Sequence, residues 1–272
     1  MTALNDPLIR NNVTVAGNKE AGATMVFVHG FGTDLRVWSE VAAAFAADFR
    51  QVLLDNVGAG GSDPAAFVQY RYLSLPAYSR DLIEVCDALA VRDAIMVGHS
   101  VGAMIGLIAA VDRPELFSRL VLIGASPRYR DDDGYVGGFT RADLDATYSA
   151  VMQDYHAWVG AFASVAMDNP RRPSLAQAFA ECLRSIRPDH ALTTLCAIFQ
   201  SDHRELLERV IQPTLIVQTR EDVAVPRAVA DYLHQHIPDS QLAVIDAVGH
   251  LPHVSAPARV IEAMQAFLDA WR

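Results

Sequence analysis

Ser100 stands at the centre of Gly98-His99-Ser100-Val101-Gly102, and the residues on either side decide what its hydroxyl can do. The apolar run Ala94-Ile95-Met96-Val97 predicts a buried strand, and Ala103-Met104-Ile105-Gly106-Leu107-Ile108-Ala109-Ala110 predicts a buried helix. Gly-x-Ser-x-Gly at a strand-to-helix turn is a nucleophile elbow. Glycines at both flanks let strand and helix approach, which forces the serine out at the top of the sheet. The N–H of Val101 then opens a helix beside that serine, where it can hold an oxyanion. A chance match in a glycine-bearing turn is the competing reading, and the strand–turn–helix context speaks against it.

A serine hydroxyl is a poor nucleophile until a base takes its proton. Hydrolases built on such an elbow carry an acid and then a histidine after the serine. Here the predicted strand Thr214-Leu215-Ile216-Val217-Gln218 runs into Arg220-Glu221-Asp222 and Val223-Ala224-Val225-Pro226. Asp222, just past a strand tip, can orient a histidine at the edge that holds Ser100. A helix N-cap is its ordinary alternative role, and Glu221 and Asp246 are rival acids. Asp246 falls inside the last strand region and is too early. The strand Leu242-Ala243-Val244-Ile245 leads to Val248-Gly249-His250-Leu251-Pro252, which puts His250 in a loop where the general base belongs. Read alone, His250 is an exposed loop histidine; the order Ser100, Asp222, His250 favours the triad.

A second oxyanion donor is expected after an early strand. Met25-Val26-Phe27-Val28 supplies the strand, and His29-Gly30-Phe31-Gly32 the turn. The Phe31 N–H is the candidate, paired with the Val101 N–H. His29 reads as structural, packing or bonding behind that turn.

The elements that must position these groups alternate through the first half of the chain. Strands are expected at 24–28, 51–55, 94–98 and 119–124, with helices at 38–47, 76–90 and 101–111. This alternation predicts an α/β fold with a mostly parallel central sheet and helices on both faces. The glycine-rich Asp55–Ser62 stretch lacks the lysine and spacing of a phosphate loop and reads as a turn at the carboxyl edge of the sheet. From 131 to 203 the pattern is helical, with three apolar stripes. Leu144, Tyr148, Val151, Met152, Tyr155, Trp158, Val159 and Phe162 form the first. Pro173 and Pro188 suit the starts of the second and third. Strands resume at 214–218 and 242–246, and a helix over 256–270 closes the chain. The expected organisation is a core of 1–130 and 204–272 with a helical cap, 131–203, inserted between core strands. A cap that is apolar toward Ser100 makes a closed pocket. Phe31, Tyr129, Phe139, Trp158, Phe162 and Phe199 are its candidate lining, although aromatic stripes of this kind also glue helices together.

The whole chain sets bounds on partners. Its 272 residues suit one α/β domain plus an insertion, and 51% of them are hydrophobic, ample for a core. A formal charge of −10 argues against nucleic acid and anionic membranes as partners. No apolar run approaches the ~18 residues of a membrane helix, and the first ten residues lack a signal pattern. The expectation is a soluble, cytoplasmic protein. Cys86, Cys182 and Cys196 are scattered in predicted helices and form neither a metal nor a disulfide pattern. Asp131-Asp132-Asp133 lacks a calcium-loop pattern and reads as a solvated turn. Lys19 is the sole lysine, and with the abundant alanine this suits a GC-rich bacterial genome.

Several strings together resemble one subfamily of the α/β-hydrolases. They are His29-Gly30-Phe31-Gly32-Thr33-Asp34 with Trp38, the elbow, Ser126-Pro127-Arg128-Tyr129 with Gly137-Gly138-Phe139, Phe199-Gln200-Ser201-Asp202, Asp222-Val223-Ala224-Val225-Pro226 and Gly249-His250-Leu251-Pro252. The subfamily contains the bacterial stress-response regulator RsbQ and the plant karrikin and strigolactone receptors. The likeness spans nearly the whole chain, and the cap strings are its more specific part. It implies the α/β-hydrolase fold with a V-shaped helical cap over a deep apolar cavity. It implies Ser100, Asp222 and His250 as triad and Phe31 and Val101 as oxyanion donors. It matches Tyr129, Phe139, Phe162 and Phe199 to aromatic pocket positions.

Two functions follow as expectations. One is a serine hydrolase that cleaves a small apolar ester or butenolide-like lactone through an acyl-enzyme, with no cofactor or metal. The other, which the resemblance implies, is a signalling regulator or receptor with slow turnover and a protein partner such as a PAS-domain phosphatase. A lyase or haloperoxidase on the same scaffold is a weaker third reading. Ser100 excludes the haloalkane dehalogenase variant, which needs a carboxylate at the elbow.

Overall fold

The computed structural model describes residues 6–270. Seven strands form one sheet in the order β1-β3-β2-β4-β5-β6-β7. They are β1 (Thr14–Gly17), β2 (Thr24–Val28), β3 (Arg50–Leu54), β4 (Ala94–His99), β5 (Phe117–Ile123), β6 (Thr214–Glu221) and β7 (Ser240–Val248). The edge pair β1–β3 is antiparallel, and every other pairing is parallel. The edge strand β1 was not among the strands expected from the apolar pattern. Its residues are exposed or half-buried, so it carries no apolar run.

Parallel strands buried on both faces become continuous apolar runs, and alternate residues serve opposite layers. Val26, Val28, Val52, Leu54, Met96, Leu120, Leu122 and Ile216 pack on one face with α3 (Leu75–Ala88), α4 (Val101–Asp112) and α9 (Arg227–His236). Met25, Phe27, Leu53, Ile95, Val97, Val121, Leu215 and Val217 pack on the other with α2 (Ser39–Phe45) and α11 (Pro257–Asp269). Short helices α1 (Pro7–Arg10) and α10 (Pro252–Ser255) complete these layers. Two helix ends depart from expectation. The helix expected at 38 begins as a 3-10 turn over Leu35–Trp38, and the helix expected over 256–270 is preceded by α10 as a separate turn. Among the described residues no helix is long and apolar enough to cross a membrane.

Between β5 and β6 lie α5 (Arg141–Gln153), α6 (Tyr155–Met167), α7 (Pro173–Arg184) and α8 (Pro188–Phe199). The first apolar stripe is therefore two helices. Asp154 breaks it with an extended backbone, φ −153°, and caps α6 by accepting from the Ala157 N–H. Pro173 and Pro188 are the first residues of α7 and α8, as their fixed φ predicts. Val151, Tyr155, Val159, Ala163, Phe179, Leu183 and Leu195 give these helices their own apolar core, and Leu251 joins it from the loop after β7. The triple aspartate is more than a solvated turn. Asp131 Oδ1 accepts from the Gly137 and Gly138 amides at 2.8 and 2.9 Å. Asp132 pairs with Arg204 at 2.8 Å and with Arg128 at 3.3 Å.

Candidate active site

The chain runs from β2 out to β3 and returns to β4 on the other side of β2, so the strand order reverses between β2 and β4. A crevice forms at such a switch point, at the carboxyl ends of the strands. The turn after β2 carries Phe31 and the turn after β4 carries Ser100. Ser100 has φ 53° and ψ −124°, a strained geometry for a residue with a side chain. Its N–H donates to the Ile123 carbonyl at 2.8 Å, which anchors the turn. The flanking glycines are obligatory. A Cβ on Gly98 would lie 2.5 Å from Ala103 Cα, and one on Gly102 would lie 2.4 Å from the carbonyl oxygens of Val28 and His29.

The three residues expected to act together meet in one chain of hydrogen bonds. Ser100 Oγ is 2.8 Å from His250 Nε2, and His250 Nδ1 is 2.8 Å from Asp222 Oδ2. A carboxylate only accepts, so Nδ1 carries the proton and Nε2 is free to take the one on Ser100. The second carboxylate oxygen, Asp222 Oδ1, accepts from the Ala224 and Val225 amides at 2.8 and 3.0 Å. Those bonds leave the carboxylate one orientation. The rival acids lie apart: Glu221 is exposed, and Asp246 is exposed and pairs with Arg220 at 2.7 Å.

Backbone bonds from distant segments fix the histidine loop. The His250 N–H donates to the Ala166 carbonyl at the end of α6, 2.7 Å away, and the Gly249 N–H to Glu221 at 2.9 Å. His99 Nε2–H donates to the His250 carbonyl at 2.7 Å. Burial, and the neighbouring His253 and His250, hold His99 well below the usual imidazole range, so it stays neutral. His253 packs 4.3 Å from it, centroid to centroid, and burial brings its pKa down to about 3.

Val101 is the first residue of α4, so its N–H has no acceptor within the helix. The Phe31 N–H makes no protein hydrogen bond among the described residues. Neither amide is used in a hydrogen bond to another described residue. His29 lies behind this turn. Its Nδ1–H donates to the Gly30 carbonyl at 2.8 Å, and Nε2 accepts from the Asn56 N–H at 2.9 Å. It ties the tip of β2 to the loop after β3, and among the described residues it makes no hydrogen bond to Ser100, Asp222 or His250.

A cavity over Ser100 leaves about 50 Å³ open to the centre of a water-sized sphere. Phe31, Tyr129, Phe139, Phe162 and Phe199 line it, as the sequence suggested. Trp158 does not. It stacks on Phe162 at 4.9 Å with an 11° tilt and supports that ring from behind. Phe179, Leu195, Ile198, Ala224 and Leu251 also line the cavity and were not among the lining expected from sequence. Phe179, Leu195 and Ile198 sit in apolar helix stripes, where spacing alone cannot separate a pocket face from a packing face.

Comparison with known proteins agrees with this fold. Residues 23–257 match the family described as the alpha/beta hydrolase fold. The chain is 44% identical over 252 residues to a protein of Oryza sativa subsp. japonica named as a probable esterase, spanning 92% of this chain and 93% of that one. It is 42% identical over 252 residues to the karrikin insensitive 2 receptor CA of Petunia hybrida, again spanning 92% and 93%. A solved hydrolase from Oleispira antarctica shares the fold with a TM-score of 0.93 at 31% identity, covering 98% of this chain and 97% of that one.

Proposed function

The chain belongs to the α/β-hydrolase family, and from that premise we propose that it is a serine hydrolase cleaving a small apolar ester or butenolide-like lactone through an acyl-enzyme. The observation that carries this reading is the unbroken hydrogen-bond chain Asp222–His250–Ser100, at 2.8 Å per link, under an apolar cavity. His250 takes the Ser100 proton as Oγ attacks the carbonyl carbon. The Phe31 and Val101 amides hold the oxyanion. The intermediate collapses, the C–O bond to the leaving group breaks, and His250 returns the proton to that group. Water, deprotonated by His250, then releases the acid and restores Ser100. Asp222 keeps the imidazole in the tautomer this needs. We assign 131–203 as the cap and 1–130 with 204–272 as the core. In this assignment the cap supplies the apolar roof that keeps bulk water from the acyl-enzyme.

The test is labelling by a fluorophosphonate probe together with turnover of aryl esters and butenolides of graded size. Ser100 should be labelled, and Ser100→Ala should lose both label and turnover while keeping its fold. Labelling that persists on Ser100→Ala would place the nucleophile elsewhere.

A second reading, a small-molecule receptor or signalling regulator with slow turnover, draws support from the petunia relative, which is named as a receptor. In that reading the cap reports pocket occupancy to a protein partner, for example a PAS-domain phosphatase. Efficient turnover of one ester without any partner would favour the metabolic role.

A further inference from the structure

The phenol oxygen of Tyr129 lies 3.1 Å from Ser100 Oγ, the atom that also meets His250 Nε2 at 2.8 Å. A serine hydroxyl has one proton. When Ser100 gives it to His250, the Tyr129 O–H is the donor in the second bond. Burial pushes the Tyr129 phenol well above its ordinary range, so it keeps its proton.

The phenol is held firmly. Its ring meets Phe199 edge-on at 5.9 Å, and its carbonyl accepts from the Phe139 N–H at 3.1 Å. The preceding residue, Arg128, pairs with Asp132 and Asp202, and Arg204 pairs with both aspartates at 2.8 Å. Tyr135 donates to the Arg128 carbonyl at 2.8 Å. This ring of charges joins the segment entering the cap helices to the segment leaving them. Besides His99, Ser100 and His250, Tyr129 is the one described residue lining the cavity with a polar side-chain group.

We propose that Tyr129 is a catalytic residue of deacylation: its O–H donates to Ser100 Oγ and makes that oxygen a better leaving group from the acyl-enzyme. The proposal rests on the serine-hydrolase reading. Water attacks the acyl carbon and forms the new C–O bond while its proton passes to His250 Nε2. The carbonyl re-forms, the C–Oγ bond breaks, and the bonding pair moves onto Oγ. His250 then returns the proton to Oγ. Tyr129 keeps its own proton throughout; its donated hydrogen bond strengthens as charge grows on Oγ. In acylation the gain is smaller, because the free Ser100 hydroxyl already accepts this bond, whereas the ester oxygen of the acyl-enzyme accepts it only weakly. Tyr129 therefore shifts the balance between the two half-reactions toward deacylation.

The experiment is rapid mixing of p-nitrophenyl acetate with wild type and Tyr129→Phe, read by the p-nitrophenol burst and by intact mass. Phenylalanine keeps the ring contacts, and a melting curve checks the fold. Deacylation should fall about tenfold, as expected for losing one hydrogen bond to a charged oxygen. Acylation should fall much less, so that the acetyl-enzyme accumulates in the variant. Unaltered deacylation, or an equal fall in both steps, overturns the role given to Tyr129. Wild type that forms no acyl-enzyme at all overturns the hydrolase reading on which it rests.

Discussion

The side chain of His99 donates to the main chain of His250: Nε2–H meets the carbonyl oxygen at 2.7 Å. The residue before Ser100 thereby holds the residue that deprotonates it in the mechanism proposed above. The two imidazoles also lie 4.9 Å apart, centroid to centroid. Because His99 is buried and neutral, the bond keeps its direction across the working pH range.

His99 is accordingly expected to act as a positioning residue. His99→Phe fills the space without a donor and should lower kcat about tenfold, a hydrogen bond's worth of misplacement, with KM little altered. His99→Gln, which keeps an N–H, should recover part of the loss. Steady-state kinetics on one aryl ester, beside melting curves, decide the matter. A wild-type kcat in His99→Phe would remove the role.

The two carboxylates near the end of β6 and β7 should behave differently. Asp222→Asn breaks the tautomer logic at His250 Nδ1 and should cost several orders of magnitude in kcat. Asp246→Asn loses only an exposed pair with Arg220 and should change kcat by less than about twofold. The reverse ranking would show the acid to be misassigned.

Acid should destabilise the fold through its buried imidazoles. Burial lowers the pKa of His29, His99 and His253, the last to about 3 against 6.5 for a free imidazole. At His253 the unfolded chain therefore binds more proton than the native state between pH 6.5 and about 3. The native state loses stability progressively below pH 6.5, by about 1.4 kcal/mol per pH unit through His253 down to about pH 3, and His29 and His99 act in the same direction. Melting temperature against pH should slope upward in this window, and His253→Phe should flatten the slope. An unaltered slope in that variant would exclude His253 as a contributor.

The small apolar cavity should select for compact acyl groups. Acetyl and butyryl aryl esters should be turned over faster than octanoyl ones, and Phe162→Ala should reverse part of that preference. Strong activity on long-chain or anionic esters in wild type would contradict the lining described above.

If the receptor reading holds, the exposed face of the cap helices is the expected contact for a partner. Asp145 on α5 and Arg171 before α7 are both exposed. Substitution at these positions should weaken capture of a partner phosphatase in pull-downs and leave ester turnover intact. Binding that ignores every cap-surface variant would remove this face from the interface.

Much of this protein was legible in its sequence because the information is local. The elbow needs two glycines within five residues. The parallel strands advertise themselves as short apolar runs, and Pro173 and Pro188 mark helix starts through their fixed φ. Asp222 and His250 could be picked out as the candidate acid and base because each follows a strand that must end at the same edge as Ser100. Sequence order also ranked Asp222 above Asp246. Other features depended on contacts between segments far apart in the chain, which periodicity does not encode. The break at Asp154 was hidden because apolar spacing continues across it, and only the packing of α5 and α6 as separate helices requires it. Trp158 and Phe162 sit on one stripe, yet helix rotation turns one ring to the cavity and puts the other behind it. The bonds from Tyr129 to Ser100 and from His99 to His250 span 29 and 151 residues. Hydrogen bonds depend on ångström-scale separation, and that separation exists only once the sheet, the histidine loop and the cap have packed together.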